Sequence, residues 1–237
     1  MKQKQYIIAG MAAVLFILAA APMIKGQWVK SKSIEAGSSK VEQAAPCVVL
    51  DAGHGGSDPG KIGINGAVEK DLNLEIALLV KKYLEANDVR VVMTRETEAG
   101  LYDEDASNKK VQDMKRRISI IEEVNPIVTV SIHQNSYSEE YVHGAQVFYY
   151  TDSSAGQRLA EKIQNRLVLR LDPDNTRQIK ANNSYYLLKK ALTPIVIVEC
   201  GFLSNKEEAD KLISKEYQEK LAWEIHLGII QYLNEVD

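Results

Sequence analysis

The apolar run Val48-Val49-Leu50 breaks off at Asp51-Ala52-Gly53-His54-Gly55-Gly56, where a histidine stands among glycines. The run reads as a buried strand, and the glycines let the chain turn sharply without crowding the imidazole. This ending points to an α/β plan, because open sheets of that class keep their sites at strand C-termini. The overlapping stretch Gly55 to Lys61, G-G-S-D-P-G-K, imitates a phosphate loop but fails it chemically. Ile62 follows where Ser or Thr should hold magnesium, Pro59 removes an N–H donor and Asp58 would repel an anion.

The remaining chain alternates helical and strand patterns. Glu69-Lys70-Asp71 opens a helix to about Ala86, with Leu72, Ile76, Leu79, Val80 and Tyr83 at helical spacing. Arg90 to Thr94 reads as a strand, and Lys110 to Glu123 as a helix with Val111, Met114, Ile118 and Ile121 on one face. The next strand, Ile127 to Ile132, ends at a second histidine, His133, with Asn135 two residues on. A strand over 144–151 precedes an amphipathic helix carrying Leu159, Ile163, Leu167 and Leu171, and a short strand is expected around Tyr185 to Leu188. Pro194 to Val198 makes a fully apolar strand that Glu199 closes. Asn205 caps a short helix to about Ile213, and a last helix runs from about Lys215 to Leu233. The expected fold is α/β: a mostly parallel twisted sheet with helices on both faces in a single catalytic domain.

In that fold His54, His133 and Glu199 emerge at one edge of the sheet, and Glu69 lies in the loop-to-helix connection beside them. Two neutral imidazoles and one carboxylate form a catalytic zinc set that leaves a position for water. A second carboxylate beside it can exchange protons with that water and with a leaving amine. On the residues alone, which carboxylate ligates and which exchanges protons stays open. Asp51 either braces His54 through a hydrogen bond to its other nitrogen or caps the turn. Asn135 is a candidate for contacting substrate or supporting a ligand.

Several blocks together resemble a known family. Val49 to Gly56, Glu69-Lys70-Asp71, Met93-Thr94-Arg95, Ser131 to Asn135 and Val198 to Asn205 are similar to the zinc-dependent N-acetylmuramoyl-L-alanine amidases of bacterial cell walls. The resemblance implies one zinc ion per chain held by His54, Glu69 and His133, with Glu199 as the catalytic carboxylate and peptidoglycan as substrate. The bond cut would join muramic acid to the first L-alanine of the stem peptide. Only about ten residues, Gln134 to His143, separate His133 from the following strand, where some relatives carry a long autoinhibitory insertion, so that autoinhibition is not expected here. The chain also lacks wall-binding repeats, and is most like the sporulation amidases of endospore formers. For those the resemblance implies a role in muramic-δ-lactam formation, beside a cortex deacetylase and, in some species, a lipoprotein partner. The alternatives are a vegetative autolysin, a zinc peptidase cutting within the stem, or an inactive wall-binding scaffold. A scaffold should have lost a ligand or Glu199, and all four are kept.

Ile7 to Ile24 is an uncharged, mostly apolar run between Lys2/Lys4 and Lys25, long enough to span a bilayer. Residues 1–25 are thus expected to be an anchor or signal segment, 26–46 a polar linker, and 47–237 the catalytic domain outside the cytoplasm, which the resemblance to sporulation amidases would put at the forespore membrane and cortex. A net charge of −3 without a basic, aromatic-laced cluster excludes nucleic acid as a partner. Cys47 and Cys200 fall at opposite ends of their strands and are expected to be free, buried thiols. His143 reads as a partly exposed loop residue, His226 as part of a helix packing surface and Arg95 as structural. Arg116 and Arg117 read as a solvated charged face.

Overall fold

The computed structural model describes residues 45–236. The expected membrane segment, and all but the end of the expected linker, lie outside the described residues. Among the described residues no helix is long and apolar enough to cross a membrane.

Six strands, β1 (Cys47–Ala52), β2 (Arg90–Met93), β3 (Val128–Asn135), β4 (Gln146–Tyr150), β5 (Lys180–Asn182) and β6 (Ile195–Phe202), form one sheet in the order β2-β1-β3-β6-β4-β5. The helices are α1 (Glu69–Glu85), α2 (Lys109–Val124), α3 (Ser154–Arg170), α4 (Tyr186–Lys190), α5 (Lys206–Leu212) and α6 (Lys215–Val236). β2, β1, β3 and β6 run parallel, whereas β4 pairs antiparallel with β6. The cause is the short connection from β3 to β4, residues 136–145. A parallel return needs a crossover of a dozen or more residues, usually a helix.

Alternation along the strands sorts side chains onto two faces. Val48, Leu50 and Ala52, with Val130, Ile132, Val196 and Val198, pack against α1, α3 and α6. Val49 and Ile197 pack on the other side with Ile121 of α2 and Leu187 and Leu188 of α4. By the same alternation Asp51, Ser131, His133 and Glu199 share the face of α2 and α4. Helices therefore cover both faces, as the sequence implied.

Three local expectations are corrected. Tyr186 to Lys190 is a turn of helix rather than a strand, and the short strand lies earlier, at Lys180–Asn182. The Asn182 side chain accepts the N–H groups of Ser184 and Tyr185, an Asx turn that ends the strand, and one helical turn then buries Leu187 and Leu188. The strands of His133 and Glu199 also continue past those residues, to Asn135 and Phe202, with a register irregularity between His133 and Asn135. Both cysteines are free, but only Cys200 is buried; Cys47, at the start of β1, is half-buried.

Candidate active site

His54 follows β1 and has positive φ, +62°, a backbone state that costs any residue with a Cβ. Two buried arginines hold the carbonyls around it. Arg117 donates to Ala52 O at 2.8 Å and His54 O at 2.5 Å, and Arg95 donates to Ala52 O at 2.9 Å and Gly53 O at 3.0 Å. Arg117 is 1% exposed, which corrects its reading as part of a solvated face; Arg116 is the partner at the surface, paired with Asp103. Arg117 is itself neutralised by Asp113 at 2.5 Å and Asp51 at 2.6 Å. Asp51 also accepts from Thr94 at 2.7 Å and Ser131 at 2.5 Å. Burial alone would raise the Asp51 carboxyl, but the Arg117 charge and these hydrogen bonds outweigh it and hold the pKa at about 2. Asp51 thus braces the turn through Arg117, and the carboxylate on His54 Nδ1 is that of Asp58, at 3.0 Å.

Glu69 is the first residue of α1 and is buried. Its Oε1 faces His54 Nε2 at 3.2 Å and His133 Nδ1 at 3.1 Å, and accepts the Gln134 N–H at 3.1 Å. Its Oε2 accepts the Lys61 N–H at 2.8 Å. Burial would raise this carboxyl; hydrogen bonds from His133 and His54 overcome that and hold it well below the usual range. Burial would likewise depress His54, but Glu69 and Asp58 raise it. One donor atom from each of His54, Glu69 and His133 lies within 4.8 Å of the others, so the three could hold a metal ion.

The surroundings leave room for this cluster by omitting side chains. A Cβ on Gly53 would stand 2.3 Å from the His133 ring, and one on Gly60 2.5 Å from Glu69 Oε2. Behind the cluster, buried Gln134 donates to Asn73 Oδ1 at 3.2 Å, and Asn73 donates to Gly53 O at 3.1 Å. Gln134 therefore supports the site from beneath.

Glu199 pairs in register with His133 on the neighbouring strand and is 9% exposed. Its Oε2 is buried with no hydrogen-bond partner among the described residues. Burial, opposed by His133 and His54 and reinforced by Glu69, pushes its pKa up to about 7. All four residues line one open cavity of about 780 Å³, flanked by Met114 of α2 and Leu187 of α4. Asn135 lines it too, with its side-chain oxygen accepting the Ser136 N–H at 2.8 Å. His143 is exposed and faces Tyr141 O at 3.0 Å, and His226 is buried beside Trp223 O at 2.9 Å; neither lines the cavity. Sequence reasoning missed the roles of Asp58, Arg117 and Asn73. Asp58 had a legible signal: a carboxylate four residues after the histidine, inside a glycine-rich turn.

An α/β sheet with a His-Glu-His cluster beside it, able to hold a metal ion, and a buried carboxylate alongside has the donor set that a metal-dependent hydrolase needs. The profile of the N-acetylmuramoyl-L-alanine amidase family matches residues 48–231. The germination-specific N-acetylmuramoyl-L-alanine amidase of Bacillus subtilis is 36% identical over 79% of this chain and 80% of its own length. The amidase LytC of the same organism is 32% identical over 78% of this chain but only 35% of its own, longer sequence. Among solved structures, the CwlD amidase of Clostridioides difficile, in complex with the GerS lipoprotein, superposes with a TM-score of 0.78 and 40% identity, covering 81% of this chain and all of that one. The chain belongs to the N-acetylmuramoyl-L-alanine amidase family and is an amidase.

Proposed function

We propose that His54, Glu69 and His133 bind one zinc ion and that Glu199 is the general base and acid of amide hydrolysis between N-acetylmuramic acid and L-alanine. The observation that carries this is the convergence of three donor atoms within 4.8 Å beside a buried carboxylate whose Oε2 has no hydrogen-bond partner among the described residues. Two imidazoles and a carboxylate suit zinc, and the glycine-lined space around them supports the fit. When bound, zinc supplies a Lewis acid that polarises the amide carbonyl and acidifies water.

The two carboxylates divide the work by their surroundings. Glu69 meets both imidazoles with one oxygen, which suits a ligand. Glu199 has its Oε2 without a partner among the described residues, and burial raises its carboxyl above the usual range, which suits a group that takes a proton from the attacking water and returns it to the departing amine. The water oxygen bonds to the lactyl carbonyl carbon, the C–N bond breaks as the nitrogen takes the proton held by Glu199, and the stem peptide leaves with a free L-alanine amino group while the lactyl carbon keeps a carboxyl group.

The spore cortex is the proposed setting. The name of the germination-specific relative and the chain's likeness to a lipoprotein-bound amidase support it, and they support a lipoprotein as partner. The apolar run Ile7 to Ile24 supports a domain arrangement in which 1–25 tethers or exports a catalytic domain acting outside the cytoplasm. The test incubates the full chain, in detergent, with purified peptidoglycan, with and without chelator and restored zinc, and identifies products by mass. Free stem peptides beginning with L-alanine, lost on chelation and regained with zinc, are expected; cleavage inside the stem would instead mark a peptidase.

A further inference from the structure

We propose that Asp58 is a positioning residue that fixes the tautomer of His54, keeping the proton on Nδ1 so that Nε2 is the nitrogen presented to Glu69 and the metal; this rests on the zinc reading above. A neutral imidazole carries one proton on either of two nitrogens, and the hydrogen bond made by one decides what the other can do. Here the two nitrogens face different carboxylates: Nδ1 is 3.0 Å from Asp58 Oδ2, and Nε2 is 3.2 Å from Glu69 Oε1. A ring held at both ends has one productive orientation.

Asp58 is built to hold still. Its backbone N–H and carbonyl bond reciprocally with Gly55, at 3.1 and 3.0 Å, and its Oδ1 accepts the Gly60 N–H at 3.1 Å. One carboxylate oxygen therefore shapes the turn while the other serves the ring. Lys110 Nζ lies 3.8 Å from that second oxygen, at the cavity rim. The same turn carries Gly60, whose missing Cβ leaves room for Glu69 and His54. Ligand, tautomer-setting carboxylate and clearance thus lie within seven consecutive residues, 54–60. A carboxylate on the distal nitrogen raises the basicity of a ligating histidine as well as orienting it.

Asp58→Asn separates the two tasks, because the amide oxygen can still accept from Gly60 while its NH₂ group cannot accept a proton from Nδ1. With the full chain in detergent, zinc affinity by chelator competition is expected to fall about 10- to 100-fold, while the melting temperature of the metal-free protein stays that of wild type. Zinc affinity within about twofold of wild type would overturn the proposal. A wild-type chain that takes up no zinc would overturn the metal reading and this proposal together, a result distinct from the preceding one. Should the variant not fold, ring ¹⁵N resonances of zinc-loaded wild type decide: a protonated Nδ1 on His54 is expected, and a zinc-bound Nδ1 would refute the assignment.

Discussion

Arg117 donates to the backbone carbonyl of His54 at 2.5 Å, tying a guanidinium on α2 to the residue that sits in left-handed backbone two positions after β1. The same side chain faces Asp51 and Asp113, so one buried cation serves two carboxylates and two carbonyls. Arg117→Met should therefore destabilise the protein by about 3–5 kcal/mol, because it leaves buried carboxylates unpaired. Arg117→Lys keeps the charge but not the planar fork, and should fall between the two. Urea unfolding midpoints measure this, and a Met variant within about 1 kcal/mol of wild type would refute the account.

The Asp51 carboxylate gives the stability an acid limb. Folding lowers its pKa to about 2, so between the ordinary value and that one the unfolded chain binds more protons than the folded chain. Its contribution is fully present above pH ~4 and is lost as pH falls through ~2, amounting to about 2 kcal/mol. Asp51→Asn lowers stability at neutral pH, and its deficit against wild type should shrink between pH ~5 and ~2. Urea titrations at several pH values test this; a deficit constant with pH would exclude the linkage.

The four proposed reacting and ligating residues were legible because each ends an apolar run or opens a helix, and period and type mark such positions together. The supports behind them carry no such double mark. Arg117 lies three residues after Met114 and four before Ile121, inside the apolar stripe of α2, where it could have been recognised as buried. Its partners Asp51 and Asp113 are 66 and 4 residues away, and only the pairing of α2 with β1 brings all three together. The Tyr185–Leu188 stretch misled because its aromatic composition favours strands, whereas the Asx turn at Asn182 decided the local geometry.

Gly53 lies between β1 and His54, and its hydrogen faces the His133 ring. A Cβ there would stand 2.3 Å from ring atoms, far inside contact distance, and β1 and β3 are fixed by their pairing. The ring must therefore move. Gly53→Ala should cost at least tenfold in zinc affinity, about 1.4 kcal/mol, while the metal-free protein still folds. Zinc titration with circular dichroism as the folding control tests it; unchanged affinity would mean the ring has more room than the geometry allows.

Glu69 and Glu199 are both buried glutamates facing the same cluster, and the proposed division of labour predicts opposite phenotypes for the same isosteric change. Glu199→Gln removes the proton acceptor but leaves the donor set untouched, so zinc should bind as in wild type while kcat falls by about 10²- to 10⁴-fold with little change in KM. Glu69→Gln removes the charge that faces both imidazoles, so zinc occupancy itself should fall, and excess zinc should recover part of the activity. Metal content after dialysis and initial rates on a soluble muropeptide separate the two. If Glu199→Gln loses zinc and Glu69→Gln retains it, the roles are reversed; if both keep zinc and activity, neither carboxylate is part of the mechanism.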